Sequence, residues 1–246
     1  MSRHRRLRDH VPFTPRHEPH FHWRGQEVSR LEGFTDAVFA FAVTLLIVAL
    51  EVPHTYEGLM NVVRSFPAFV ICFALLMNFW SAHYRYFRRF GLEDTFTRIA
   101  TMGILVLVLF AVYPLKFLFT LVTSNVFHLA IINAPHLESW AEVQMLYTVY
   151  GLGFAGVWAF YALMYAHALK RRHQLELTPA EIILTRHSLR ECLIYIAVCG
   201  LSILLVQTRE GEILPGIIYC VLGPLQAFNG WWHSRQVRAL TGPSPA

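Results

Sequence analysis

The chain has 246 residues, 55% of them hydrophobic and 15% charged, with a formal net charge of +5. A soluble domain of this size cannot bury so much apolar surface on one side of each helix, so the composition excludes an ordinary globular domain and indicates an integral membrane protein. The positive excess does not read as a nucleic-acid surface, because most arginines lie just beyond the ends of apolar runs, where they set topology and meet anionic lipid.

Residues 1–29 form a basic, proline-containing arm with Arg3, Arg5, Arg6, Arg8 and Arg16 and no apolar stretch. This is not the pattern of a secretory signal peptide, and the arm reads as cytosolic. His17, His20 and His22 are close enough in it to offer imidazoles to a transition metal. Solvated tail is the simpler reading of such a segment, and no resident metal or cofactor is expected. Cys72, Cys192, Cys199 and Cys220 all fall in apolar runs without C-x-x-C spacing, which indicates packing rather than a disulfide frame or zinc site. No H-E-x-x-H, G-x-S-x-G or phosphate-cradling glycine loop points to catalysis.

Six apolar segments follow, at Phe34–Leu50, Phe66–His83, Ile99–Leu121, Val143–Leu169, Cys192–Thr208 and Ile213–Trp232. Each is near the length of about 17 to 25 residues that a bilayer demands of a helix. Pro67 reads as opening the second, Pro114 as a kink in the third, and Pro224 as an interruption of the sixth. All of the 21 lysines and arginines except Arg64, Lys116 and Arg209 fall on one face of this arrangement, which the positive-inside rule makes cytoplasmic. Both termini are therefore expected inside, with residues 30–234 as a six-helix domain and 235–246 as a short cytosolic tail. The opposite face carries Glu51, Glu57, Glu138, Glu142, Glu210 and Glu212, a set that favours cations modestly.

The first segment carries the most chemistry. At about 100° per residue, Phe34, Ala37, Phe41, Thr44, Leu45 and Val48 fall along one stripe, and Asp36 lies on the far side, about 140° from Phe41. A carboxylate at the membrane edge needs partners, and Arg30 is too far round the same helix to pair with it. The end of the second segment offers some: Trp80, His83, Tyr84 and Phe87 share a face, bringing an indole donor and an imidazole to the depth of Asp36. A polar clasp between the two segments and a plain interfacial aromatic belt are both compatible with this spacing.

Arg30-x-x-x-Phe34-Thr35-Asp36, the apolar helix behind it and Trp80-x-x-His83 together resemble the bacterial members of the transmembrane protein 175 family of potassium channels. The family signature has Ser where this chain has Thr35, which keeps the hydroxyl. The resemblance implies an all-α, multi-pass protein of the inner (plasma) membrane. Four six-helix chains would surround a central pore lined by the first helix. It also implies an interhelical network of Arg30, Thr35, Asp36, Trp80 and His83 that holds the pore helix without touching the ion. A family Asn near the start of the third helix has Met102 or Gly103 in its place here.

No carbonyl selectivity filter of the T-V-G-Y-G kind is present. The resemblance implies instead a constriction of large apolar side chains at Phe41, Leu45 and Val48, with Thr44 as a hydroxyl ring beside it. Phe41 departs from relatives that carry Ile or Leu, and four phenyl rings would narrow the axis while offering π faces to a cation. The expected function is passive potassium conduction, weakly to moderately selective over sodium, with potassium ions, membrane lipid and three further copies of the chain as partners. The alternatives are a proton leak, or a secondary transporter of small ions. Coupled transport is disfavoured because the helix centres hold few ionisable residues.

Overall fold

Helix boundaries in this chain follow local capping chemistry more than hydropathy. In the computed structural model, residues 20–25, 27–48, 53–126, 131, 136–208 and 214–241 are described. They are helical, with short connections and no strand among them: α1 Arg30–Val48, α2 Tyr56–Phe90, α3 Thr95–Val126, α4 Trp140–Lys170, α5 Pro179–Gln207, α6 Leu214–Ile217 and α7 Leu222–Thr241. Of these, α1 to α5 are long and apolar enough to cross a membrane.

Helix α2 starts well before the expected Pro67 because Thr55 caps it, accepting the Gly58 N–H at 3.0 Å, and Pro67 is carried inside the helix. Its 35 residues extend roughly 52 Å, well beyond an apolar layer of about 30 Å. The last turns, with Arg85, Arg88 and Arg89, therefore project past the apolar layer. Gly91 ends the helix in the left-handed region at φ 57°, a conformation that costs glycine nothing. Helix α5 likewise begins thirteen residues before the apolar run, at a capping box in which Thr178 and Glu181 satisfy each other's backbone N–H groups and Pro179 takes the first helical position.

The stretch expected to be a sixth span is broken. The four residues of α6 tighten into a 3-10 turn over Ile218–Val221, and the chain resumes as α7 at Leu222. Pro224 fits the break: it lies in the first turn of α7, where its missing N–H costs no helix hydrogen bond and its ring meets no carbonyl of a preceding α-helical turn.

Helix α1 rests against α2 and α3, α4 packs along both α3 and α5, and α7 lies against α5. Aromatic side chains fill the centre, with Trp158 of α4 stacked on Tyr195 of α5 at 4.0 Å. The Tyr161 hydroxyl donates to the Phe79 carbonyl at 2.7 Å, and the Tyr150 hydroxyl donates to the carbonyl of Pro114. Gly103, at the place where the resemblance led to an expected Asn, gives close packing instead: a Cβ there would come within 2.4 Å of the Phe160 ring. Met102 is exposed.

Candidate functional site

Ser29 starts α1. Its hydroxyl accepts the Glu32 N–H at 3.1 Å and the Glu32 carboxylate receives the Ser29 N–H, a capping box that also places an acid in the helix's first turn. From there the helix has two different faces. Glu32, Thr35, Phe39, Ala42 and Leu46 recur every three or four residues and are buried against the neighbouring helices. Phe34, Ala37, Phe41, Thr44 and Val48 lie on the other side and are exposed in the single chain, with Leu45 half-buried at the border. More than half of the surface of Phe41 and Val48 is uncovered, at 55% and 67%.

The polar residues of the signature are distributed among several contacts. The Trp80 indole N–H donates to Asp36 at 2.7 Å, joining α2 to α1, and Trp80 stacks on Tyr84. Thr35 is buried but turns back on its own helix, donating to the Leu31 carbonyl at 2.8 Å. His83 is 1% exposed, stacked on Phe87 at 4.5 Å, and its Nε2 has no hydrogen-bond partner among the described residues. Arg30 is exposed, and no ion pair joins it to Asp36 among the described residues. Asp36 and Trp80 thus meet, while Arg30, Thr35 and His83 stand apart from them.

The strongest contact of α1 involves two residues that the sequence reading passed over. Glu32 forms an ion pair with Arg88 of α2, both nearly buried, and Arg88 also donates to the Gly25 carbonyl at 2.7 Å. The end of the basic arm is docked at this point: Arg24 N–H and Gly25 N–H both donate to the Arg88 carbonyl at 3.1 Å. Gly25 permits that approach, since a Cβ there would come within 2.3 Å of the Phe87 carbonyl oxygen. Arg24 then reaches Glu181 of α5 through two parallel bonds of 3.0 Å, and Phe21 is fully buried in contact with Phe90. His22 gives its backbone N–H to Glu181 at 2.9 Å, with its imidazole 3.4 Å away, while His17 lies outside the described residues. The two capping boxes, Ser29–Glu32 and Thr178–Glu181, were the sequence signals that could have found both acids.

A further contact closes the turn between α2 and α3. Asp94 accepts the Thr97 N–H at 2.8 Å, lies 2.6 Å from His167 Nε2 and pairs with Arg171 at 3.1 Å. Burial alone would raise its carboxyl, but the Thr97 N–H and His167 outweigh it and hold the group at about 2.

This architecture has known counterparts. The sequence profile described as "Endosomal/lysosomal potassium channel TMEM175" matches residues 30–114, the stretch from the start of α1 to Pro114. A "Potassium channel" of Marivirga tractuosa is 32% identical over 232 residues, covering 90% of this chain and 94% of the relative. The crystal structure of the potassium channel MtTMEM175, solved as a variant bound to a nanobody–MBP fusion, superposes with a TM-score of 0.76 at 31% identity, over 92% of this chain and all of that one. A lysosomal potassium-selective channel homolog from Chamaesiphon minutus shares the fold at a TM-score of 0.50 and 22% identity, over 81% of this chain and 96% of that one. These relatives are ion channels rather than enzymes. Five apolar helices of spanning length, an acid–indole contact between the first two, and full-length similarity to a bacterial relative converge: the chain is a multi-pass membrane protein and belongs to the TMEM175 family.

Proposed function

We propose that this chain forms a potassium channel of four copies, each contributing the exposed stripe of α1 to a shared axial pore. The observation that carries the reading is the division of α1. Its buried face is complete within one chain, whereas Phe34, Phe41, Thr44 and Val48 remain uncovered on a helix whose relatives are potassium channels. A bare apolar stripe is also what lipid contact produces, so family membership is the argument that turns it inward.

In this arrangement Phe41, Leu45 and Val48 narrow the path with apolar side chains, which pass ions when the constriction widens and wets. The Thr44 hydroxyl donates to the Ala40 carbonyl at 3.0 Å, which commits its proton and leaves its lone pairs for a partly dehydrated cation. Asp36 and Trp80 fix the angle between α1 and α2 away from the axis. Six crossings, with α6 and α7 making the last one and both termini in the cytoplasm of an inner membrane, complete the proposed topology; the arginine asymmetry supports it. Selectivity for potassium over sodium is weak to moderate because no rigid carbonyl cage is available.

Potassium, sodium and proton flux into liposomes containing the purified protein tests this reading. Potassium flux should exceed sodium flux, and Phe41→Ala should raise cation flux by removing the widest apolar ring. Intact oligomers that pass no cation in either form would end the channel reading. Equal flux from wild type and Phe41→Ala would move Phe41 off the axis.

A further inference from the structure

Away from α1, basic groups converge where α7 lies against α5. Gln226, Asn229 and His233 form one stripe of α7. Gln226 donates to the Glu191 carbonyl at 3.2 Å, and Asn229, 5% exposed, is 3.4 Å from the His187 carbonyl. These bonds bring the His233 ring to within 4.6 Å of the His187 ring, centre to centre. Arg190 is one turn further along α5. His187 Nε2, His233 Nε2 and Arg190 Nε are all buried, and none has a hydrogen-bond partner among the described residues.

The charges acting on the two imidazoles have one sign. The leading ones acting on His187 are His233, Arg190, Arg89 and Arg85; those acting on His233 are Arg89, Arg190 and His20. Glu191, which follows Arg190 in the chain, is within electrostatic reach of Arg85 and Arg89, and Arg89 also donates to Ser188 at 2.9 Å. Arg190 Nε and the Nε2 atom of each imidazole are left unpartnered, with no carboxylate bonded to them among the described residues. A buried guanidinium N–H without an acceptor is costly, and an anion beside the imidazoles would favour a proton on each Nε2, so the arrangement suits an anion with several acceptor oxygens. A metal cation would be repelled by the same arginines.

The same helix shows where that anion comes from. Phe228, Trp231 and Trp232 of α7 are about half exposed, and Arg235 lies 4.1 Å over the Trp231 ring. Exposed indoles beside bases mark the headgroup level of a membrane. We propose that His187, Arg190 and His233 form a site for the phosphate of an anionic membrane lipid, with the α7 aromatics against its glycerol and upper acyl chains.

The test is independent of conduction. Full-length oligomer in neutral detergent is mixed with phosphatidylglycerol or phosphatidylcholine of identical acyl chains, and bound lipid is counted by native mass spectrometry. Wild type should retain phosphatidylglycerol in preference, and His187→Gln combined with His233→Gln should reduce that preference roughly tenfold, the usual effect of losing hydrogen bonds to a charged group. Arg186→Gln, an exposed base one turn away, should leave it unchanged. Where the double variant does not fold, Arg190→Gln takes its place with the same expectation. Equal retention of the two lipids by wild type overturns the proposal, as does an unaltered preference in the double variant. Inorganic phosphate raising the melting temperature as much as phosphatidylglycerol would make the ligand a soluble phosphate and overturn the lipid assignment. A double variant of reduced oligomer mass would show these bases facing an acid of a neighbouring subunit, which also overturns it.

Discussion

The two ends of the first helix make opposite demands on the protein. At the arginine-rich end three acids are paired within one chain: Glu32 by Arg88, Glu181 by Arg24, Asp94 by His167 and Arg171. Further along, Phe41, Thr44 and Val48 expose an apolar stripe that the chain leaves uncovered. Buried charge must be neutralised locally because an unpaired ion costs several kcal/mol, whereas apolar surface can wait for lipid or another copy. A paired collar that holds a helix whose other face stays open is the arrangement that the proposed shared pore would require.

Breaking the collar should therefore cost far more stability than altering the stripe. Glu32→Ala is expected to have the largest effect, about 3 to 5 kcal/mol, because it strands the nearly buried Arg88 guanidinium and removes a cap from α1. Thermal unfolding in detergent would measure it, and a melting temperature equal to that of wild type would refute the importance of the pair. Glu181→Ala comes next, at roughly 2 kcal/mol, through loss of the α5 capping box and of both bonds from Arg24. Its specific signature is release of the arm, read as faster proteolysis on the amino-terminal side of Arg30 with the oligomer intact.

Asp36→Ala tests the border between the two regions. It removes one exposed contact, from Trp80, so the expected cost is about 1 kcal/mol, with reduced oligomer yield because α1 is less firmly set. Normal yield and normal flux would show that the Asp36–Trp80 contact does not position the helix.

The smallest effect is a pH dependence at Asp94. Its folded-state pKa, near 2, lies below the ordinary value of 3.8, so its contribution is fully present above that value and lost as pH falls through the folded value. The displaced pKa sets a ceiling of roughly 2.5 kcal/mol on the difference between wild type and Asp94→Asn near neutrality, which solvent screening at the chain surface lowers to about 1 kcal/mol, and the two should converge below about pH 2. Parallel curves down to that pH would mean that the carboxylate is not the group responsible.

Much of the architecture was readable from hydropathy, because five uninterrupted apolar stretches of spanning length leave few alternatives to membrane helices. Their ends were less legible. α2 and α5 continue many residues into polar sequence, where capping by Thr55 and by Thr178 with Glu181 determines the start. Hydropathy also joined Ile213–Trp232 into one segment, because it cannot register a backbone tightened ahead of a proline.

In the candidate site, helical geometry by itself separated the stripe of Phe41, Thr44 and Val48 from Asp36, because side-chain direction follows directly from position along a helix. It also brought Asp36 and Trp80 to comparable depth. Partners distant in the chain were decided only by tertiary structure. Glu32 meets Arg88 and Arg24 meets Glu181 because α1, α2, α5 and the arm converge at one end of the bundle, and pairing of charges 56 and 157 residues apart has no local signal. His83 shows the same limit, since its spacing from Trp80 said nothing of the rings of Phe39 and Phe87 that it meets. Period and composition thus determine which way a residue points, and packing of the helices determines what it meets.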